Sequence, residues 1–435
     1  MRHPNLPTSR LILAFLVIAC AACSPPAPAE AQGLAARVAS ARDGVVRFSY
    51  PAREGVCGYG EGIGYRHPRS GDRGMMSFGS FNGRSDRERD CVTGPLHVEL
   101  TLRAGQVTAV RTRVGEPPRD PSGTVTDAGA VPAEEAARYL VSLAERGGPD
   151  SDDALLAGVL AAAPLPSADL LRIGRASAIQ RNTREQAVFW VAILGDRPAV
   201  RELQRLVEDE SVDERVRGHA IFALGQTQDA EDAAFIRAVY PRLRADELKE
   251  KAIFSLSQVR DQASDRWLLE RAGDRNESEK VREQAVFWLA ETGVSLSELD
   301  ALYARLESRK LKEQVIFAYS RRREPEASER LLRLARGEAD TELRGKAIFW
   351  LGQAAGQEIT RQLAGLAQDD NQDREIQEQA VFALSQRSRE EGIPALIQIA
   401  RAHRDVEIRK KALFWLGQSK DPRALDLFEE ILRGR

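Results

Sequence analysis

Eight phenylalanines recur down this chain at nearly equal intervals: Phe189, Phe222, Phe254, Phe287, Phe317, Phe349, Phe382 and Phe414, spaced 33, 32, 33, 30, 32, 33 and 32 residues. Their surroundings recur with them. Glu-Gln-Ala-Val-Phe-Trp stands at 185–190 and again at 283–288, and Lys-Ala-Ile-Phe at 251–254 and 346–349. A unit of this length holds two short helices and cannot bury its own apolar face, so the copies must stack. That requirement restricts the fold more than any other feature of the sequence.

Each copy predicts a second helix in detail. An N-cap residue stands nine positions before Phe: Asp213, Ser278, Ser308, Asp340, Asp373 and Asp405. Six before is apolar, as in Val216, Leu248, Val281, Leu311, Leu343, Ile376 and Ile408. Two before is alanine except at Val315, and two after is usually leucine. Stepped at 100° per residue, these positions form one buried stripe. Three after Phe the residue is always small: Ala192, Gly225, Ser257, Ala290, Ser320, Gly352, Ser385 or Gly417. Small residues there let neighbouring helices approach closely. The first helices of the pairs, such as 265–272 and 326–336, vary more, and 422–432 suits a C-terminal cap.

The pattern resembles the HEAT family, specifically the bacterial PBS-lyase-type HEAT-like repeats. Val216-Arg217-Gly218-His219-Ala220-Ile221-Phe222-Ala223-Leu224-Gly225 follows that signature closely, and Leu343 to Gly352 nearly so. The resemblance covers about 270 residues and implies an all-α right-handed superhelix, a HEAT-like α-solenoid of helix pairs. It does not extend to the N-terminal third. Its members include scaffolds, partner-binding modules and a few lyases, so fold alone does not assign a function.

Phenylalanine departs from the family, which leaves that position variable. On the helix it shares a face with Lys251, Gln284, Lys346 and Gln379 three residues before, and with Gln226, Gln258, Gln353, Gln386 and Gln418 four after. In such stacks the second helices line the concave side. The eight rings and their amides therefore form a candidate strip for an extended protein or peptide partner. A second reading makes the rings a stacked ladder between repeats, and the two overlap where a packed ladder floors a groove. Trp190, Trp288, Trp350 and Trp415 are expected in the core. Arg184, Arg217, Lys249, Arg282, Lys312, Arg344 and Arg409, five before Phe, are expected to pair between repeats with residues such as Glu247, Glu342 and Glu407.

The N-terminal part reads differently. Arg2 and Arg10 precede an apolar run from Leu11 to Ala22, a secretory signal too short to span a membrane. Val17-Ile18-Ala19-Cys20 resembles a lipobox, Ala21-Ala22-Cys23 is a second lipidation candidate, and Ala29-Glu30-Ala31 suits ordinary cleavage. We expect an exported protein, periplasmic or anchored to the bacterial cell envelope through lipidation at Cys20 or Cys23. The expected domains are 1–22 signal peptide, 23–33 flexible tether, 34–115 small β domain, 116–131 linker and 132–435 solenoid. Strands are predicted at 45–50, 96–102 and 107–112, the last two joined by a four-residue loop, Arg103 to Gln106. Export makes Cys57 and Cys91 a disulfide. The glycines from Gly58 to Gly64 lack the Lys-Ser/Thr of a phosphate loop and are read as a disulfide-tied loop. Residues 34–115 hold 13 basic against 8 acidic residues, whereas the chain as a whole is at −2, a balance that argues against nucleic acid or an anionic membrane as partner.

No catalytic constellation stands out. Five histidines are scattered as His3, His67, His97, His219 and His403, with no ligand-type spacing and no paired nucleophile, so no cofactor and no metal are expected. The function expected is a non-catalytic, monomeric scaffold or adaptor that binds protein through the concave face. The alternatives are an envelope sensor recognising its partner through the β domain, and a HEAT-like lyase.

Overall fold

The computed structural model describes residues 33–433 except 60–61, 67–75, 79–90, 118–123, 260 and 355. The signal segment, both lipidation candidates and His67 lie outside the described residues.

The N-terminal part opens with helix α1 (Leu34–Ser40) and strands β1 (Gly44–Tyr50), β2 (Val56–Tyr59), β3 (Gly62–Tyr65), β4 (Met76–Phe78), β5 (Leu96–Arg103), β6 (Gln106–Val114) and β7 (Val125–Ala130). Four strands form a sheet in the order β6-β5-β1-β7 and three form a second, β2-β3-β4. Alternation sets the register of the first. Val46, Phe48 and Tyr50 stand opposite Leu100, Val98 and Leu96, and all six are buried on one face. The β5–β6 connection is tighter than expected, two residues rather than four. Ala104 and Gly105 both take positive φ, 50° and 74°, the backbone that a two-residue hairpin requires.

Two further expectations change. The glycine-rich stretch is not a loop but the β2–β3 hairpin, clipped by the Cys57–Cys91 disulfide with 5.4 Å between its Cα atoms. Glycine serves strand packing there, since a Cβ on Gly58 would sit 2.9 Å from the Cβ of Val114. The stretch 116–131 is not wholly a linker. Its second half is β7, which pairs in parallel with β1, so the crossover returns the chain to the sheet before the helices begin.

The β domain is fused to the stack. Helices α2 (Ala133–Glu145) and α3 (Ser151–Val159) form an opening pair before the first phenylalanine. Tyr50 donates its hydroxyl to the carbonyl of Ala157 at 2.8 Å, and Arg53 donates to the carbonyls of Val159 and Ala163. A bridge joins Ala52 to Ala161. One continuous hydrophobic core then runs from Leu34 to Leu427.

The repeats follow as helix pairs: α4 (Ser167–Arg175) with α5 (Arg181–Leu194), α6 (Arg197–Glu208) with α7 (Glu214–Gln226), and α8 (Ala230–Val239) with α9 (Asp246–Gln258). Next come α10 (Gln262–Gly273) with α11 (Glu279–Leu289), and α12 (Leu296–Arg305) with α13 (Arg309–Arg321). Then come α14 (Pro325–Gly337) with α15 (Thr341–Gln353), α16 (Gln357–Gln368) with α17 (Arg374–Ser385), and α18 (Arg389–Ala402) with α19 (Val406–Ser419). A final helix, α20 (Pro422–Leu432), covers the end of the stack and leaves Leu425, Ile431 and Leu432 exposed. No helix among the described residues is long and apolar enough to cross a membrane.

Every second helix packs directly on the next, and the first helices pack on one another less closely. The second helices thus form the more closely packed layer of the stack. The small residue after Phe makes this contact. A Cβ on Gly225 would come within 2.6 Å of the Cβ of Ser255, and one on Gly352 within 3.0 Å of the Cβ of Ala383. Side chains cap second helices at Asp213, Ser278, Asp340 and Asp405. Ser308 and Asp373 stand at the same position without a side-chain cap bond. Ser308 donates instead to Glu279, and Asp373 accepts from Arg344 at 2.9 Å.

Candidate binding face of the second helices

The arginines five before Phe do not form the expected ion-pair ladder. Arg184, Arg217, Arg282 and Arg344 each donate to a carbonyl at the end of the preceding first helix: Gly174, Val207, Ala272 and Ala335. Arg409 does the same to His403, and Gln377, which replaces the arginine, to Asp369. A helix leaves its last carbonyls without intrahelical donors, and these side chains supply them. Lys249 and Lys312 differ, for Lys249 pairs with Glu277 at 2.7 Å and Lys312 lies over the ring of Tyr303.

An inter-repeat ladder does exist, on the residue four before Phe. Glu250 meets Lys280 at 2.6 Å, Glu283 meets Lys310 at 3.8 Å, Glu313 meets Lys346 at 3.4 Å and Glu378 meets Lys411 at 3.1 Å. Each joins one second helix to the next. Glu185 approaches His219 at 3.9 Å in the same relation. That histidine is pushed down to about 4, first by burial and then by the charge of Lys251, so it is neutral at pH 7.

The phenylalanine rings stand on this face, neither fully buried nor free. Phe287, Phe349 and Phe414 are 39%, 41% and 55% exposed, and the other five are half-buried. Consecutive rings touch. Phe222 stacks on Phe254 and Phe287 on Phe317, each pair with centroids 5.8 Å apart. Where the next copy carries tryptophan, that ring takes the contact: Phe254 with Trp288, Phe317 with Trp350 and Phe382 with Trp415. His219 bridges Phe189 and Phe222. The tryptophans thus belong to the ladder, except Trp190. It is fully buried under Tyr65 and Phe78 of the β domain. Ladder and exposed strip are one structure, because the rings contact their neighbours along the stack while three of them stay more than a third exposed.

Among the described residues no ring contact joins Phe349 to Phe382. A cleft of about 670 Å³ opens at this step. Six candidate strip residues gather round it: Phe287, Phe317, Phe349, Phe382, Lys346 and Gln379. The remaining candidates lie elsewhere along the face, Gln353, Gln386 and Gln418 being exposed and Gln226, Gln258 and Gln284 half-buried, with Lys251 at a smaller cleft beside Gly218. Glu313, Glu342, Glu375, Gly345 and Trp350 also line the larger cleft, and sequence reasoning did not single them out as site residues. Aligning the copies on Phe exposes the signal. The position four before is glutamate in five copies, and both of its glycines, Gly218 and Gly345, sit at clefts.

Residues 363–434 match the model of the HEAT-repeat family. No curated protein matches the chain. Among solved structures the chain is similar to YibA of E. coli, at 14% identity over 70% of this chain and all of that one, with a TM-score of 0.34. It is also similar to a complex of CpcE and CpcF of phycocyanin lyase from Nostoc, at 16% identity, 53% of this chain, 92% of that one and a TM-score of 0.27. Human deoxyhypusine hydroxylase aligns at 17% identity, 61% of this chain, 96% of that one and a TM-score of 0.26. Likenesses this distant carry no argument about activity.

Proposed function

We propose that this stack of HEAT-like repeats is a non-catalytic scaffold or adaptor that binds a protein partner along the face of its second helices. The supporting observation is the aromatic strip itself. Soluble chains seldom keep a regular row of large apolar rings at their surface without a partner, and Phe287, Phe349 and Phe414 are each more than a third exposed. Aromatic rims with amides beside them suit an extended segment, the rings giving apolar contact and the amides hydrogen bonds to its backbone. From the basic and apolar N-terminal segment of the sequence, we propose that the protein is exported to a bacterial cell envelope, periplasmic or lipid-anchored at Cys20 or Cys23, and monomeric.

The test is affinity capture from envelope extract by the wild-type chain beside a Phe287→Ala, Phe349→Ala double variant. Both rings project outward, so helicity by circular dichroism should be unchanged. Partners held by the wild type and lost by the variant support the reading, and an identical captured set refutes it.

A further inference from the structure

The break in the aromatic ladder coincides with a break in the ion-pair ladder. On α5, α9, α11, α13 and α17 a carboxylate four before Phe meets a cation or histidine on the following helix, as Glu313 meets Lys346; α7 carries Gly218 there, but its ring column is unbroken. On α15 that position is Gly345, and nothing extends from it. On the next helix, the two residues that would face such a partner are Glu375 and Gln379, neither of them cationic. Gln379 folds over the glycine, so that a Cβ there would lie 2.1 Å from its Oε1. The consequences are specific. Among the described contacts, the carboxylate of Glu375 has no cationic partner and is met only by Gln379 Nε2 at 3.4 Å. The Oε1 of Gln379 is buried and accepts no hydrogen bond. The other two carboxylates at the cleft are already paired, Glu313 with Lys346 and Glu342 with Arg309 at 2.7 Å.

We propose that the cleft at Gly345 receives the guanidinium of an arginine presented by an extended segment of a protein partner. This deepens the scaffold reading and rests on it. The rings of Phe349 and Phe382 line the cleft without contacting each other, which leaves room for a planar cation, and guanidinium suits aromatic rings better than a compact ammonium. Glu375 supplies the opposing charge, and the half-buried Gln379, whose Oε1 gives up no hydrogen bond when the side chain turns, supplies an acceptor for one N–H. Glu375 is exposed at the rim of the cleft, so its attraction for a cation is strongest at low salt. Lys346 also lines the cleft, but Glu313 holds its charge.

The test is calorimetric titration of the full chain at low salt with the probe acetyl-Ser-Gly-Arg-Gly-Ser-amide. Matched peptides carry citrulline, which keeps the shape without the charge, or leucine. The arginine peptide should bind about tenfold or more tightly than the citrulline peptide. Glu375→Gln should remove that preference, and Gly345→Leu should block binding by filling the cleft, both with unchanged circular dichroism. Equal binding of arginine and citrulline, no binding of the arginine peptide, or full binding to Glu375→Gln overturns the proposal. Binding of the leucine peptide alone, lost in Phe349→Ala, would overturn the cation site while leaving the scaffold reading standing. Partner capture that depends on Phe287 and Phe349 but not on Glu375 would separate the two in the same way.

Discussion

His219 shows how one substitution within a repeat changes its chemistry. Four other copies carry glutamine three before Phe, and here an imidazole bridges two rings. Burial, with help from Lys251, lowers it from its usual 6.5 to about 4. Between those values the unfolded chain binds the proton and the folded chain does not. Stability at this residue is therefore intact above pH 6.5 and falls as pH drops toward 4. The variant His219→Gln should lose less stability than wild type between pH 7.5 and pH 5 in denaturant titrations. Equal losses in both proteins would show that the imidazole is free to protonate in the fold.

At the scale of the helix, the same residue type at the same register is not worth the same energy. Asp213 accepts from the backbone amides of Arg215 and Val216, whereas Asp373 caps nothing and instead receives Arg344. Asp213→Ala should cost about 1 kcal/mol, the ordinary value of a lost N-cap. Asp373→Ala, which removes only an exposed pair, should cost about half of that or less. Chemical denaturation of the two variants decides this, and equal costs would mean that register rather than geometry sets the cap. The same contrast explains what was legible. Helices, repeat period, buried stripe and small contact residue follow from spacing, so Val216, Ala220 and Gly225 could be placed from sequence. Partners could not. The arginine five before Phe lies as near to a spent helix end as to a neighbouring glutamate, and only the packing of the pair shows that the carbonyls win. The cleft was half legible: its rings were visible as a column, but Gly345 gains meaning only when the carboxylate it replaces is seen to pair across the stack.

Across the whole molecule, the β domain and the opening repeats act as one body. Tyr65 and Phe78 cover Trp190, and Tyr50 and Arg53 tie the sheet to the end of α3. Sequence suggested a separate head on a linker because Pro, Gly and Asp in 116–131 hid the single strand β7. The Cys57–Cys91 bridge spans 34 residues and should contribute about 3 kcal/mol. In a stack whose units touch only their neighbours, that contribution is felt locally. The double variant Cys57→Ala, Cys91→Ala should lose amide-exchange protection in α2, α3 and α5 while α15, α17 and α19 keep theirs. A uniform loss along the chain would instead mean that the whole stack unfolds as a single unit.

The close approach of the second helices also fixes a ruler. Helices in direct contact lie about 8–10 Å apart, and a segment in the polyproline II conformation advances about 3.1 Å per residue with three residues per turn. Such a segment lying across the second helices would therefore meet one phenylalanine about every third residue. Side chains between those positions would point away from the rings. What such a surface can read is thus a cadence of one residue in three, with an off-key position at α15, where a glycine stands in place of a glutamate and the ring column is interrupted.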